Sequence, residues 1–205
     1  QKHYSSLSQD DRRKIENEME NKLSEYVKIH IRELSSTGIV KIALSDFEIK
    51  ATGRVPGVPL NQFALDEYKG NLRIAVTISG QGTMWGGWSS TSLRLGERSD
   101  SSANDVYVLD KDLEITGSIK DLGLTERIYS ARFIGEKAFL VTFRQVDPFY
   151  VLDLSDPKNP RKAGELKIPG FSSYLHPLKE NLILGVGQEN GRVKLSLFDV
   201  SDSSS

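Results

Sequence analysis

Tyr107-Val108-Leu109-Asp110 reads YVLD, and Tyr150-Val151-Leu152-Asp153 reads YVLD again 43 residues later. A looser copy, Leu197-Phe198-Asp199, stands 46 residues after Val151. β-branched, aromatic and aliphatic residues fill each copy, as in a strand, and each ends on aspartate, a turn former. A strand-like phrase returning at nearly constant spacing marks a repeated structural unit.

The flanks of each copy repeat as well. "NQFALDEYKGNLRIAVTI" from Asn61, "YSARFIGEKAFLVTFR" from Tyr129 and "SSYLHPLKENLILGVGQ" from Ser172 each read as a strand, a tight turn holding Gly or Asn, and a more apolar strand. After YVLD comes a strand that carries a glycine, in "EITGSI" at 114–119 and "RKAGELKIPG" at 161–170. "IVKIALSDFEIKATGRVPG" at 39–57 matches the last two strands of an earlier unit. Four short antiparallel strands per unit, at a period of 43–46, predict a mainly all-β fold built of β-propeller blades. One blade has two apolar faces and cannot bury both alone, whereas face-to-face stacking buries them. YVLD is then the third strand of its blade. Val and Leu point to opposite faces, each against another blade, and Asp110, Asp153 and Asp199 bond turn amides.

The predicted blades span about 38–57 (partial), 60–120, 127–170 and 171–202 (partial), within a partial propeller over 38–205. Propellers close with about four to eight blades. Either a longer polypeptide or a second copy of the chain, as a homodimer, is therefore expected to complete the ring. The segment 79–105 breaks the period as a Gly/Ser-rich loop, and it holds Trp85 and Trp88, both tryptophans of the chain. Aromatics on such a loop either fold back as a lid or contact a sugar, peptide or partner surface.

The N-terminal segment has a different period. Ser8 caps, Asp11 follows three residues later, and Ile15, Met19, Leu23, Tyr26, Val27, Ile31 and Leu34 share one face. An amphipathic helix over 9–36 is predicted, packed by that face on a neighbouring sheet.

Composition bounds function. The 205 residues hold 27 Lys and Arg against 28 Asp and Glu, so net charge gives no footprint for nucleic acid. No run of about 18 apolar residues exists to form a transmembrane segment, and Gln1-Lys2-His3-Tyr4 does not read as a signal peptide. The chain has no cysteine, which removes disulfides, a thiol nucleophile and cysteine metal sites. No metal-binding, phosphate-binding or serine-hydrolase motif appears, so no cofactor, no metal and no catalytic residue are expected. The candidate ligand contacts are Trp85, Trp88, His176 and Arg144. For His176, between blade strands, a satisfied structural histidine is the simpler reading. Arg132, Arg144 and Gln145 either line a polar channel or pair with carboxylates between blades, and pairing is favoured. Asp66, Glu67 and Asp147 are the carboxylates a glycan-cleaving channel would need.

Three stretches carry a resemblance: "VPGVPLNQFALDEYKGNLRIAVT", "ARFIGEKAFLVTFRQVDPFYVLDLSDPKNPRKAGELKIPGFSSYLHPL" and "KLSLFDVSD". Over about 9–202 the chain resembles secreted archaeal and bacterial proteins with a C-terminal β-propeller domain distantly related to WD40 repeats. The resemblance implies a secreted or cell-surface protein with a longer parent chain, and a helix inserted between blade strands. It implies no catalytic residues. The expected function is a non-catalytic extracellular binding or scaffold module whose partner is a protein or a cell-surface component. The alternative is a hydrolase or lyase acting on an extracellular polysaccharide or peptide through channel carboxylates.

Overall fold

The computed structural model describes residues 7–79, 102–143, 147–179 and 181–201. A helix α1 (Gln9–Leu34) leads into β1 (Ser36–Ile42) and β2 (Ile49–Pro56), a two-stranded sheet. A short 3-10 turn, Gln62–Ala64, precedes β3 (Leu65–Tyr68), β4 (Asn71–Ser79), β5 (Ser102–Leu109) and β6 (Ile115–Leu122). These pair in the order β3-β4-β5-β6. The next sheet is β7 (Arg127–Ile134), β8 (Lys137–Phe143), β9 (Asp147–Asp153) and β10 (Arg161–Ile168), again in chain order. The last is β11 (Phe171–Lys179), β12 (Leu182–Glu189) and β13 (Arg192–Asp199). Every pairing is antiparallel. The protein is mainly β, with one N-terminal helix and no closed barrel, consistent with a partial propeller.

The repeated phrase is the third strand each time, and its alternation drives the stacking. In β9, Tyr150 and Leu152 enter a core with Ile119 and Leu122 of the preceding sheet. Phe149 and Val151 enter the next core, with Leu175, Ile183 and Phe198 of the following sheet. β5 repeats the rule: Tyr107 and Leu109 pack with Val55 of β2, while Val106 faces the third sheet. Each such side chain, once buried, contributes about 1.5–3 kcal/mol. β13 has the same alternation without a cover on one side, so Val193, Leu195 and Leu197 are 78%, 66% and 61% exposed.

The aspartates do what their position suggests. Oδ1 of Asp110, Asp153 and Asp199 accepts the amide of Asp112, Ser155 and Ser201, two residues on, at 2.9, 3.0 and 3.0 Å. Asp46 accepts from Glu48 in the same way at 3.1 Å, a further copy that its unlike neighbours, Ala43-Leu44-Ser45, hide in the sequence.

The glycines of the last strands have a steric reason. A Cβ on Gly117 of β6 would lie 2.3 Å from the Pro157 carbonyl oxygen in the β9–β10 turn. A Cβ on Gly53 of β2 would lie 2.5 Å from the Leu113 carbonyl oxygen in the β5–β6 turn. Each turn thus seats in a notch of the preceding sheet that a glycine leaves open.

Two expectations change. β5 begins at Ser102, so the end of the predicted 79–105 loop is strand. The helix does not lie along a sheet: Ile31 is its buried residue, and Met19, Tyr26 and Ile29 are exposed. Its C-terminal turns are held by charge. Arg32 Nε and Nη2 donate to the buried Asp105 at 2.8 and 3.0 Å, and Nη2 reaches Asp121 at 2.7 Å. Asp105 also accepts from the Tyr107 hydroxyl and the Asp121 amide.

Candidate ligand-binding rim

The first strand of each sheet is an edge strand, and these edges converge. β11 packs against β7, and β7 packs against the 3-10 turn that leads into β3. The turn is fixed by Asn61, whose side-chain oxygen accepts the Phe63 amide at 2.9 Å, and by Ala64, which is fully buried. Phe63 is thereby presented beside Arg132 of β7 and Tyr174 of β11.

Arg132 is the centre of the cluster. Its guanidinium carbon sits 4.2 Å from the Phe63 ring centroid and 5.5 Å from that of Tyr174. Nε donates to the Leu175 carbonyl at 3.0 Å, across a separation of 43 residues that equals the YVLD period. Nη2 donates to the Tyr174 hydroxyl at 3.3 Å. That hydroxyl lies 3.2 Å from Nδ1 of His176, and their rings stack with centroids 6.1 Å apart. The hydroxyl thus accepts from Arg132 and shares a second hydrogen bond with Nδ1 of His176.

A second aromatic group lies further along the same strands. Tyr129 of β7 meets Phe143 and Phe171 edge-on at 5.4 and 5.2 Å. Phe143 and Phe171 also line a cleft of about 530 Å³ with Pro169, Lys167 and Glu189. Burial and Coulomb repulsion act elsewhere: the Tyr150 phenol, inside a seam, is pushed up to about 12, first by burial and then by Glu165 and Glu126.

The structure brings together one of the four candidate contacts, His176, with three residues not singled out as ligand contacts, Phe63, Arg132 and Tyr174. Trp85, Trp88 and Arg144 lie outside the described residues. The expected pairing of Arg132 is corrected: it bonds a carbonyl and a phenol and stacks on rings, with no carboxylate partner among the described residues. β7 and β11 carry no Asp or Glu to supply one. Of the proposed channel carboxylates, Asp66 is committed to the buried Arg73 of β4, and the side chain of Asp147 lies outside the described ones. Among the described residues no group of three or more His, Asp and Glu is arranged to hold a metal ion, and no helix is long and apolar enough to cross a membrane. The sequence signal for the rim was present in the period: positions 43 apart on first strands, such as 132 and 175, come together.

A family model described as a beta propeller domain matches residues 21–205. An "Uncharacterized protein" of Archaeoglobus fulgidus is 50% identical over 200 residues, which cover 98% of this chain and 29% of that protein. An "Uncharacterized protein" of Methanocaldococcus jannaschii is 43% identical over 203 residues, covering 98% of this chain and 30% of that protein. The chain thus spans under a third of the length of both relatives.

Proposed function

This chain belongs to the β-propeller domain family, and on that premise we propose that it forms part of an extracellular, non-catalytic binding or scaffold module. The observation that carries the reading is the rim. The 3-10 turn before β3 and the first strands of the next two sheets contribute Phe63, Arg132, Tyr174 and His176 to one half-exposed aromatic and cationic cluster. A guanidinium held between rings, with donors to spare and no carboxylate partner among the described residues, is built for recognition. The extracellular placement rests on the resemblance to secreted proteins. Trp85, Trp88 and Arg144 are proposed as further contacts of the same module.

The partner is a protein or another cell-surface component, and the open face of β13 supports association with further blades or with a second copy. The test is retention of the intact protein on immobilised surface fractions, with the bound polymer analysed afterwards. Retention lost with Tyr174→Ala and Phe63→Ala supports the rim, and retention weakened by Trp85→Ala with Trp88→Ala supports the tryptophans as further contacts, whereas unchanged retention in the tryptophan double variant removes them. Shortened polymer chains would replace this reading with the hydrolase or lyase alternative.

A further inference from the structure

Arg73 and Arg132 sit in the same kind of slot. Arg73 of β4 lies over Tyr68 of its own sheet and Phe133 of the next, at 4.8 and 5.3 Å from the ring centroids. Arg132 of β7 lies over Phe63 of the 3-10 turn before β3 and Tyr174 of the following sheet, at 4.2 and 5.5 Å. Each donates to a backbone carbonyl of another sheet or strand pair, Gly135 for Arg73 and Leu175 for Arg132. They differ in burial, Arg73 being 3% exposed and Arg132 half-buried, and in their anions. Arg73 has a carboxylate, Asp66, on Nε and Nη2, and Arg132 has a phenol where that anion would be.

A half-exposed guanidinium with no carboxylate partner among the described residues keeps charge and donors available to an incoming anion. Among the described residues two of its five N–H donors are occupied, at Nε and Nη2, which leaves Nη1 and one Nη2 hydrogen for an end-on pair of bonds. The imidazole of His176, at the end of the Tyr174 hydroxyl chain, adds a polar group two residues along β11. β7 and β11 contribute Arg127, Arg132, His176 and Lys179 to the rim and no acidic residue.

We infer that the anion missing from Arg132 is supplied by the carboxylate of an acidic peptide segment lying along the inner rim. This rests on the rim being the ligand surface. A peptide is favoured over a glycan because β7 and β11 are edge strands. The outer backbone groups of these edges, apart from the Leu175 carbonyl that Arg132 already holds, offer an extended chain donors and acceptors in a sequence that a sugar cannot match. The aromatic group of Tyr129, Phe143 and Phe171, with its cleft, lies on the same path and accepts an apolar side chain of that peptide.

The experiment is calorimetric titration of the chain with hexaglutamate, hexaglutamine, hexalysine and an oligogalacturonate. Hexaglutamate is expected to bind and to weaken as salt rises from low to high. Hexaglutamine and hexalysine are expected not to. Arg132→Gln should weaken hexaglutamate roughly ten-fold or more, with a circular dichroism melt like that of the parent. Arg132→Lys, which keeps charge but loses the planar fork, should recover only part of the affinity. Unchanged affinity in Arg132→Gln overturns the inference, as does preference for the oligogalacturonate. Loss of hexaglutamate binding in Tyr174→Phe but not in Arg132→Gln also overturns it. Binding of hexaglutamine or hexalysine that depends on Phe63 and Tyr174 would overturn the acidic peptide while keeping the rim, whereas no rim-dependent binding by any probe tells against both.

Discussion

The seams between sheets and the rim along their first strands use the same side chains to opposite ends. Arg73, in the seam between the second and third sheets, is 3% exposed and bears a carboxylate. Arg132, on the rim, is half-buried and bears none among the described residues. In the seam aromatic rings pack flat, as Phe149 does on Phe198 with centroids 4.3 Å apart. At the rim Phe63 and Tyr174 meet edge-on at 6.1 Å and stay 37% and 39% exposed. Balanced charge and buried rings hold sheets together, and unbalanced charge with half-open rings leaves work for a ligand to do.

Substitutions can break this contrast at several strengths. Phe139→Ala, in the core between the third and fourth sheets, should cost about 3–5 kcal/mol in a urea melt, because the ring is 1% exposed and leaves a cavity. Asp66→Asn should cost about 3 kcal/mol by stranding Arg73 in the seam, whereas Arg132→Gln should cost under about 1 kcal/mol and act on binding instead. Equal losses for the two would erase the distinction between seam and rim. Gly117→Ala should cost about 1–3 kcal/mol, since its methyl meets the Pro157 carbonyl, and should lower cooperativity between the second and third sheets.

The smallest effect is one of pH. Tyr150 holds its proton more tightly folded, near 12, than unfolded, near 10. Its contribution is therefore fully present below pH 10 and lost as pH rises through about 12. Tyr107 shifts in the same direction, first by burial and then by bonding Asp105. Tyr150→Phe should flatten the fall in stability above pH 10 without altering the melt at pH 7, and an unchanged slope would place the alkaline transition elsewhere.

Most of the stacking could be read from the sequence because it follows from a period of two inside a period near 43. Val151 and Leu152 are adjacent, so they take opposite faces, and both faces are buried. The aspartate turns and the Gly53 and Gly117 positions followed from the same alignment. What the sequence concealed depended on contacts between units. Arg32 is one of many charges on α1, and only the fold brings the buried Asp105 to it. The apolar stripe of the helix predicted broad packing, yet only the region of Ile31 is used. The rim was half visible. His176 and Arg132 stood out as residues, but Phe63 lies 111 residues from Tyr174, and only the convergence of the first strands joins them.

The claim that an acidic peptide occupies the rim is tested most directly by hydrogen exchange of the chain with and without hexaglutamate. The account predicts slower exchange confined to residues 127–134 and 171–179, the β7 and β11 edges, with the seams unchanged. Protection that falls instead on β10 or on the open face of β13, or no protection at all, would contradict it.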